Sequence, residues 1–357
     1  MYLLYGNRLI RAPAPTPYQG CVLMRVEHAL IGPSAGGTQA VVRTLSKYPK
    51  ALQKLARFLL LEGPKAVWAK GRTKLESYKL EFEDVFCSVS GTVVEASASV
   101  AGLKAGDKVA CVGFNYPAYA DYLLFPGEWC TKIPGEDLDR RKMAEAAYIL
   151  PGCMALDAVD WLLRPKEPKS LLIVGDTLVS RIAARYAASR GYVPYIYYPE
   201  GRARQDDKHR SDTVIVSRLE LEGKLDRYTA VLFTSAQAFR QIGDLAVYRV
   251  ALASLSYEDI EPTRAEDAQS WRLPKGVEHN LSPYSDMPVY VPPWLISGKG
   301  ESFVSAMLQG TFGHHLPTRS ITTRSYLTSP PESLRGPFLL EADLPGDASK
   351  LLVTGAE

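Results

Sequence analysis

The sequence predicts a two-domain α/β protein: a β-rich, barrel-like N-terminal part, then a doubly wound parallel sheet. Three observations predict it. The chain has 357 residues, which at roughly 150 residues per domain makes two domains with ample core for each. Its N-terminal part carries stretches in which apolar and polar positions alternate, the period of a half-buried strand. At about residue 143 the period changes, and short apolar strands then alternate with helical stretches, as in βαβ units.

Composition agrees with a globular chain. Apolar residues make up 46%, charged residues 23%, and 42 Lys+Arg against 39 Asp+Glu leave a net charge of +3. These proportions exclude disorder, collagen and coiled coil. No run approaches 18 apolar residues, so no transmembrane helix is expected. The N-terminus lacks a basic stretch followed by an apolar one, which reads as unprocessed and cytoplasmic. Five cysteines (21, 87, 111, 130 and 153) form no C-x-x-C pair. That argues against a disulfide scaffold and a cysteine-rich zinc site, and leaves a single bridge open. Three Asn and 25 Pro is the direction thermophile proteins take.

The elements follow in order. Residues 20–31 alternate as a strand, and Gly32 to Gly37 form a loop by composition. Residues 38–62 carry apolar positions at helical spacing, with Pro49 as a break. Residues 86–95, 108–113 and 119–125 read as strands, the first two joined by a turn through Gly106-Asp107. Residues 143–163 read as a helix, 171–174 as a buried strand and 178–190 as a helix. Strands follow at 193–198, 213–217, 230–234 and 247–255, with a short helix at 235–245. Residues 257–290 read as irregular, 302–312 as a last helix and 318–327 as strand-like. Domain boundaries are expected at about 150 and 290: 1–150 the β-rich domain, 151–290 the parallel sheet, and 291–357 a return to the first domain.

Residues 38–80 hold ten Lys+Arg and two Glu, a net of +8 in a chain of +3. A basic amphipathic segment docks an anionic partner, a membrane surface or nucleic acid. The competing reading is a solvated face packed on its own domain.

Several strings resemble the medium-chain dehydrogenase/reductase superfamily. Ser90-Gly91-Thr92-Val93-Val94-Glu95, followed by Val100-Ala101-Gly102 and Ala105-Gly106-Asp107-Lys108-Val109, is similar to its GxVxEVGxxVxGxxxGDxV hairpin. Ala118-Tyr119-Ala120-Asp121-Tyr122 with Lys132-Ile133-Pro134 resembles its GAYAEY and KIP strings. Met143 to Ala147 and Gly152 to Leu156 resemble the helix pair entering its nucleotide domain. The basic insertion resembles the zinc-type alcohol-dehydrogenase-like, bi-domain oxidoreductase branch. The resemblance implies a GroES-like β-barrel catalytic domain, a Rossmann-like nucleotide domain and NADP or NAD as cofactor. It also implies a small-molecule substrate and a homodimer formed through the last strand of the nucleotide sheet, here Val247 to Leu255.

The departures bear on chemistry. Zinc members carry a Cys where this chain has Ile31-Gly32-Pro33-Ser34, and a Gly-His-Glu at the start of the strand that here begins Val85-Phe86-Cys87; both are missing, as is the four-cysteine lobe. No zinc is expected. The phosphate-binding turn reads Gly175-Asp176-Thr177-Leu178-Val179-Ser180. It keeps one of three glycines, with Thr177 and Ser180 in the other places. Thr177 adds a β-branched side chain and Asp176 a negative charge where a pyrophosphate would approach.

Candidate cofactor-binding residues are Gly175, Thr177, Ser180, Glu200 for a ribose, Arg202 and Arg204 for a 2′-phosphate, and Thr234 and Ser235 at the carboxyl edge of the sheet. Glu200, Arg202 and Arg204 read equally as exposed loop charges. Candidate catalytic residues are Tyr119 as proton donor, Cys153 as nucleophile and Ser34 as a substrate hydrogen-bonding group. Against these stand a core tyrosine and a small buried apolar cysteine. His28, alone on a strand, reads as structural. Two functions of different class remain. One is a zinc-independent NAD(P)(H) oxidoreductase acting on a carbonyl, alcohol or activated double bond. The other is a cofactor-free descendant whose crevice binds another small molecule or a protein.

Overall fold

A computed structural model describes residues 2–5, 8–11, 15–31, 86–114, 119–135, 138–163, 170–175, 177–198, 214–216, 230–234, 249–252, 278–280, 293–312, 316, 320–323 and 338–342. Ser34, the basic segment 38–80, Asp176, Glu200, Arg202, Arg204 and the stretch 235–245 lie outside the described residues.

The alternating N-terminal stretches form the strands of a barrel. A hairpin of β1 (Tyr2–Tyr5) and β2 (Arg8–Arg11) precedes β3 (Cys21–Ile31), β4 (Phe86–Ala96) and β5 (Lys108–Phe114). The stretch read as one strand over 119–125 is two, β6 (Tyr119–Ala120) and β7 (Tyr122–Pro126). The chain switches partner at Asp121: β6 pairs with β1, β7 with β3, and the Asp121 carbonyl accepts from Val26 N at 3.0 Å. A short 3-10 turn (Gly127–Trp129) leads into β8 (Cys130–Lys132).

The pairing of β3 with β4 contains a bulge. Val26 opposes Gly91 and His28 opposes Ser90, so Glu27 is the extra residue. The bulge inverts the alternation. Val22, Met24 and Val26 face the barrel core before it, and Ala29 does so after it. His28 and Leu30 are thereby turned to the opposite face of the sheet. Gly91 is required where the strands approach, because a Cβ there would stand 2.0 Å from the Arg25 carbonyl oxygen. In the β4–β5 turn Gly106 has φ +89°, a value that glycine adopts without strain. Asp107 then accepts from Lys104 N at 3.0 Å and pairs with Lys132 at 2.9 Å.

The helix read over 143–163 is also two, α1 (Arg140–Ala146) and α2 (Ile149–Leu162). Pro151 explains the break. It has no N–H to donate to residue 147 and is tolerated only in a helix's first turn. Ser88 of β4 closes the gap, donating to Ala147 O at 2.7 Å and accepting from Leu150 N at 3.1 Å.

The second half alternates as expected: β9 (Leu171–Val174), α3 (Leu178–Ser189), β10 (Pro194–Tyr197), β11 (Val214–Val216), β12 (Ala230–Phe233), β13 (Arg249–Leu252) and β14 (Glu278–Asn280). These six strands form one parallel sheet in the order β11-β10-β9-β12-β13-β14. β9 and β12, buried throughout, are apolar runs without alternation, as a sheet covered on both faces demands. β14 lies within the stretch read as irregular, since Glu-His-Asn has no apolar pattern. It corrects a second expectation. The strand within Val247 to Leu255 is not the sheet's edge, because β14 pairs along its outer side.

α4 (Pro293–Leu308) begins nine residues earlier than the sequence pattern suggests, because Gly298 and Gly300 interrupt the apolar period. Gly300 serves packing, whereas a Cβ on Gly298 would meet nothing within 4 Å. A Cβ at Gly300 would stand 2.1 Å from Thr131 Oγ1 of β8, and one at Gly152 of α2 would stand 2.2 Å from the Phe303 ring. Lys299 donates to Asp160 of α2, which also accepts from Tyr186 at 3.0 Å and Arg190 at 3.1 Å. β15 (Ser320–Thr322) and β16 (Phe338–Glu341) complete the barrel sheet, with β16 antiparallel to β3. One apolar core lies inside the barrel. A second runs from the outer face of its sheet through α1, α2, α4 and α3 to the parallel sheet.

Candidate functional site

β9 is followed on one side by β10 and β11, and on the other by β12, β13 and β14. The connection therefore reverses direction between β9 and β12, and in sheets of this kind such a reversal is where a crevice forms outside the carboxyl ends of the strands. Two residues meet there. Gly175 follows β9 with φ +123° and donates to Tyr197 O at 3.0 Å. Thr234 follows β12; its amide and its hydroxyl both donate to Val174 O, at 3.0 and 3.1 Å. A Cβ on Gly175 would stand 2.3 Å from Thr234 Oγ1. The first glycine of the turn is thus imposed both by the left-handed backbone and by a side chain of the neighbouring strand.

α3 starts at this turn. Thr177 is its N-cap, and its hydroxyl accepts from Ser180 N at 3.2 Å. The Ser180 hydroxyl accepts from Thr177 N at 2.9 Å and donates to Thr177 O at 2.7 Å. This reciprocal capping box takes up the amides of residues 177 and 180. The next two amides, Leu178 and Val179, lie outside it and remain the helix's N-terminal donors. The Thr177 hydroxyl that the sequence placed in the path of a pyrophosphate is turned onto the helix. The site therefore fits an anion through two helix-start amides and the dipole behind them, with fewer donors than an uncapped helix start offers.

No protein-family model matches the chain, and no curated protein matches it by sequence. Solved structures do match over nearly its whole length. It is 14% identical to the CurK enoyl reductase, covering 94% of this chain and 95% of that one with a TM-score of 0.60. It is 13% identical to galactitol-1-phosphate dehydrogenase from Escherichia coli, covering 94% and 96% at 0.56. It is 15% identical to a thermostable alcohol dehydrogenase from Pyrobaculum aerophilum, covering 94% and 95% at 0.52. The chain has the medium-chain dehydrogenase/reductase fold.

Within this fold the structure brings Gly175, Thr177, Ser180 and Thr234 together at the turn, and the two described catalytic candidates are buried side chains. Tyr119 is 1% exposed in the barrel core, its hydroxyl donating to Asp121 Oδ1 at 3.2 Å. Cys153 is fully buried in α2; burial, with the Asp157 carboxylate adding to it, pushes its thiol far above the ordinary range. It stays protonated at neutral pH, the opposite of what a nucleophile requires. Ser34, Glu200, Arg202, Arg204 and Ser235 lie outside the described residues. Among the described residues no three of His, Cys, Asp or Glu gather as a metal site would require, and no helix is long and apolar enough to cross a membrane.

A polar cluster on the face that β3 turns toward α1 went unread in the sequence. Glu341 of β16 stands directly opposite His28. It accepts from Arg140 and from the Ser320 hydroxyl. Burial works to raise the Glu341 carboxyl, but these donors hold it below its ordinary range. His28 is 3% exposed, and neither ring nitrogen has a hydrogen-bond partner. Burial pushes its imidazole below the ordinary 6.5, with Arg140 adding to this and the Glu341 and Glu27 carboxylates opposing it. Glu27 itself, despite burial, is held low by Lys108 at 2.8 Å and by Thr92. The only sequence signal was His28 itself; a partner more than three hundred residues away leaves no local pattern.

Proposed function

We propose that the protein is an NAD(P)(H)-dependent oxidoreductase that works without zinc on a small carbonyl, alcohol or activated double bond. The observation that supports this best is the strand order 3-2-1-4-5-6, counted from β9, with the Gly175 turn and Thr234 at the point where the order reverses. Gly175 leaves the turn open, Leu178 and Val179 offer amides to a pyrophosphate, and Thr234 walls the crevice between β9 and β12. Glu200, Arg202, Arg204 and Ser235 belong to the same edge by sequence position, the arginines favouring a 2′-phosphate. The bound cofactor supplies or accepts the hydride; this chain's residues bind and orient it. Zinc independence rests on the residues at positions 31–34 and 85–87, which lack the Cys and Gly-His-Glu ligands.

A second reading has its own support. With Thr177 in place of a glycine and the capping box already satisfying two amides, the crevice suits a cofactor-free protein that holds another small molecule.

Titration with NADPH and NADH, read by tryptophan fluorescence and thermal shift, separates the two. Micromolar binding raises stability by about 2.7 kcal/mol at a hundredfold excess over Kd. Absence of binding of either nucleotide at millimolar concentration would sink the oxidoreductase reading and leave the second.

A further inference from the structure

Cys111 of β5 and Cys130 of β8 stand directly opposite each other in antiparallel register. Ile133 N donates to Lys108 O at 2.8 Å, which makes positions 108 and 133 a hydrogen-bonded pair. Such pairs alternate along an antiparallel ladder. Ala110 and Thr131 are then hydrogen-bonded, and Cys111 and Cys130 are not. The β4 side agrees: Val93 N donates to Asp107 O and Gly106 N to Val93 O, so it is the odd-numbered positions of β5 that bond to β4. In a non-hydrogen-bonded pair the Cα atoms lie about 4.5 Å apart and the side chains project from the same face. Both cysteines do pack on one core, that of the barrel. A separation of about 4.5 Å falls inside the roughly 4.4–6.8 Å window for a disulfide.

We propose that Cys111 and Cys130 form a reversible cross-strand disulfide, a redox modification site in the barrel wall. Both are thiols in the structure. They differ in access: Cys111 is wholly buried and Cys130 half-buried. Access orders the steps. With a small disulfide such as oxidised glutathione as the oxidant, the Cys130 thiolate attacks one of its sulfurs. The Cys130–glutathione bond forms, the glutathione S–S bond breaks, and one glutathione thiolate leaves and takes up a proton. The Cys111 thiolate, facing Cys130 across the ladder, then attacks the Cys130 sulfur and expels the second glutathione. Two protein thiols are oxidised and one small disulfide is reduced to two thiols. The bond closes the chain over β6 and β7 and pins β8, the strand whose Thr131 packs against Gly300 of α4. A competitor is present. Cys130 Sγ donates to Pro126 O at 3.5 Å, and Pro126 is the cross-strand partner of Cys21.

The test treats the whole protein with oxidised glutathione, then unfolds it, alkylates it and maps the peptides without reduction. The proposal expects two of the five thiols to be lost, the peptides bearing Cys111 and Cys130 to be recovered joined, and a melting temperature that rises on oxidation and returns with dithiothreitol. Cys130→Ser is expected to keep all four remaining thiols, Cys111→Ala to lose only Cys130 as a trapped glutathione adduct, and neither to show an oxidation-dependent rise. In the parent protein, five alkylated thiols after treatment, a stable glutathione adduct on Cys130, or a Cys21–Cys130 link would each overturn it.

Discussion

The Thr234 hydroxyl occupies the space that any side chain on Gly175 would need, 2.3 Å from where its Cβ would stand. The crevice turn is therefore built by two strands at once: β9 supplies the backbone conformation and β12 supplies the wall.

Gly175→Ala is expected to cost about 2 kcal/mol, the magnitude of a non-glycine residue forced into a disfavoured backbone region. Thr234→Ala in the same chain is expected to relieve the steric part and leave the φ +123° strain. Urea denaturation of the single and double variants checks it. A single variant as stable as the parent would contradict the geometry.

Replacing Thr177 separates its two roles. Thr177→Ala removes the cap of α3 and is expected to cost about 1 kcal/mol; Thr177→Gly is expected to cost only a few tenths, since glycine is a tolerated N-cap. If the proposed function is correct, the glycine variant binds NADPH at least as tightly as the parent, because it restores close backbone approach. Thermal melts and nucleotide titration of both variants read the two effects independently.

Asp160 is the acceptor on which α2, α3 and α4 converge, through Tyr186, Arg190 and Lys299. Asp160→Ala leaves a partly buried ammonium and a tyrosine hydroxyl without their acceptor, and about 2 kcal/mol of stability is expected to go. Lys299→Met removes one donor only and is expected to cost less. Chemical denaturation ranks them, and the reverse ranking would show that Asp160 is not the hub.

Acid is expected to act in two steps. Burial holds the His28 imidazole below its ordinary 6.5. As pH falls through that value, the unfolded chain takes up a proton that the folded chain does not, and stability declines. Glu27 and Glu341 are held below their ordinary 4.5. The stability they contribute is complete above 4.5 and is lost as pH falls through their folded values. His28→Leu places an apolar side chain on the face it shares with Leu30. It is expected to flatten the upper step and leave the lower one, which melts at a series of pH values would reveal. An unchanged upper step would assign it to another group.

What the sequence determined by itself was local in origin. The alternation of residues 20–31, the Gly106-Asp107 turn, the apolar runs of β9 and β12 and the helical period of α3 each follow from propensities and burial patterns within a few residues. They sufficed for a barrel followed by a parallel sheet, and for placing Gly175, Thr177, Ser180 and Thr234 at one edge. Tertiary structure decided what depends on distant partners. Ser88 and Pro151 together split one helical pattern into α1 and α2. β14 became a strand because β13 offered an edge, although Glu278-His279-Asn280 has no strand pattern. Gly298 and Gly300 hid the start of α4, and Gly300 is there because it serves the contact with β8. The pairing of His28 with Glu341, and of Cys111 with Cys130, arises from strand register. Register is set by every contact along a ladder and leaves no mark on either residue alone.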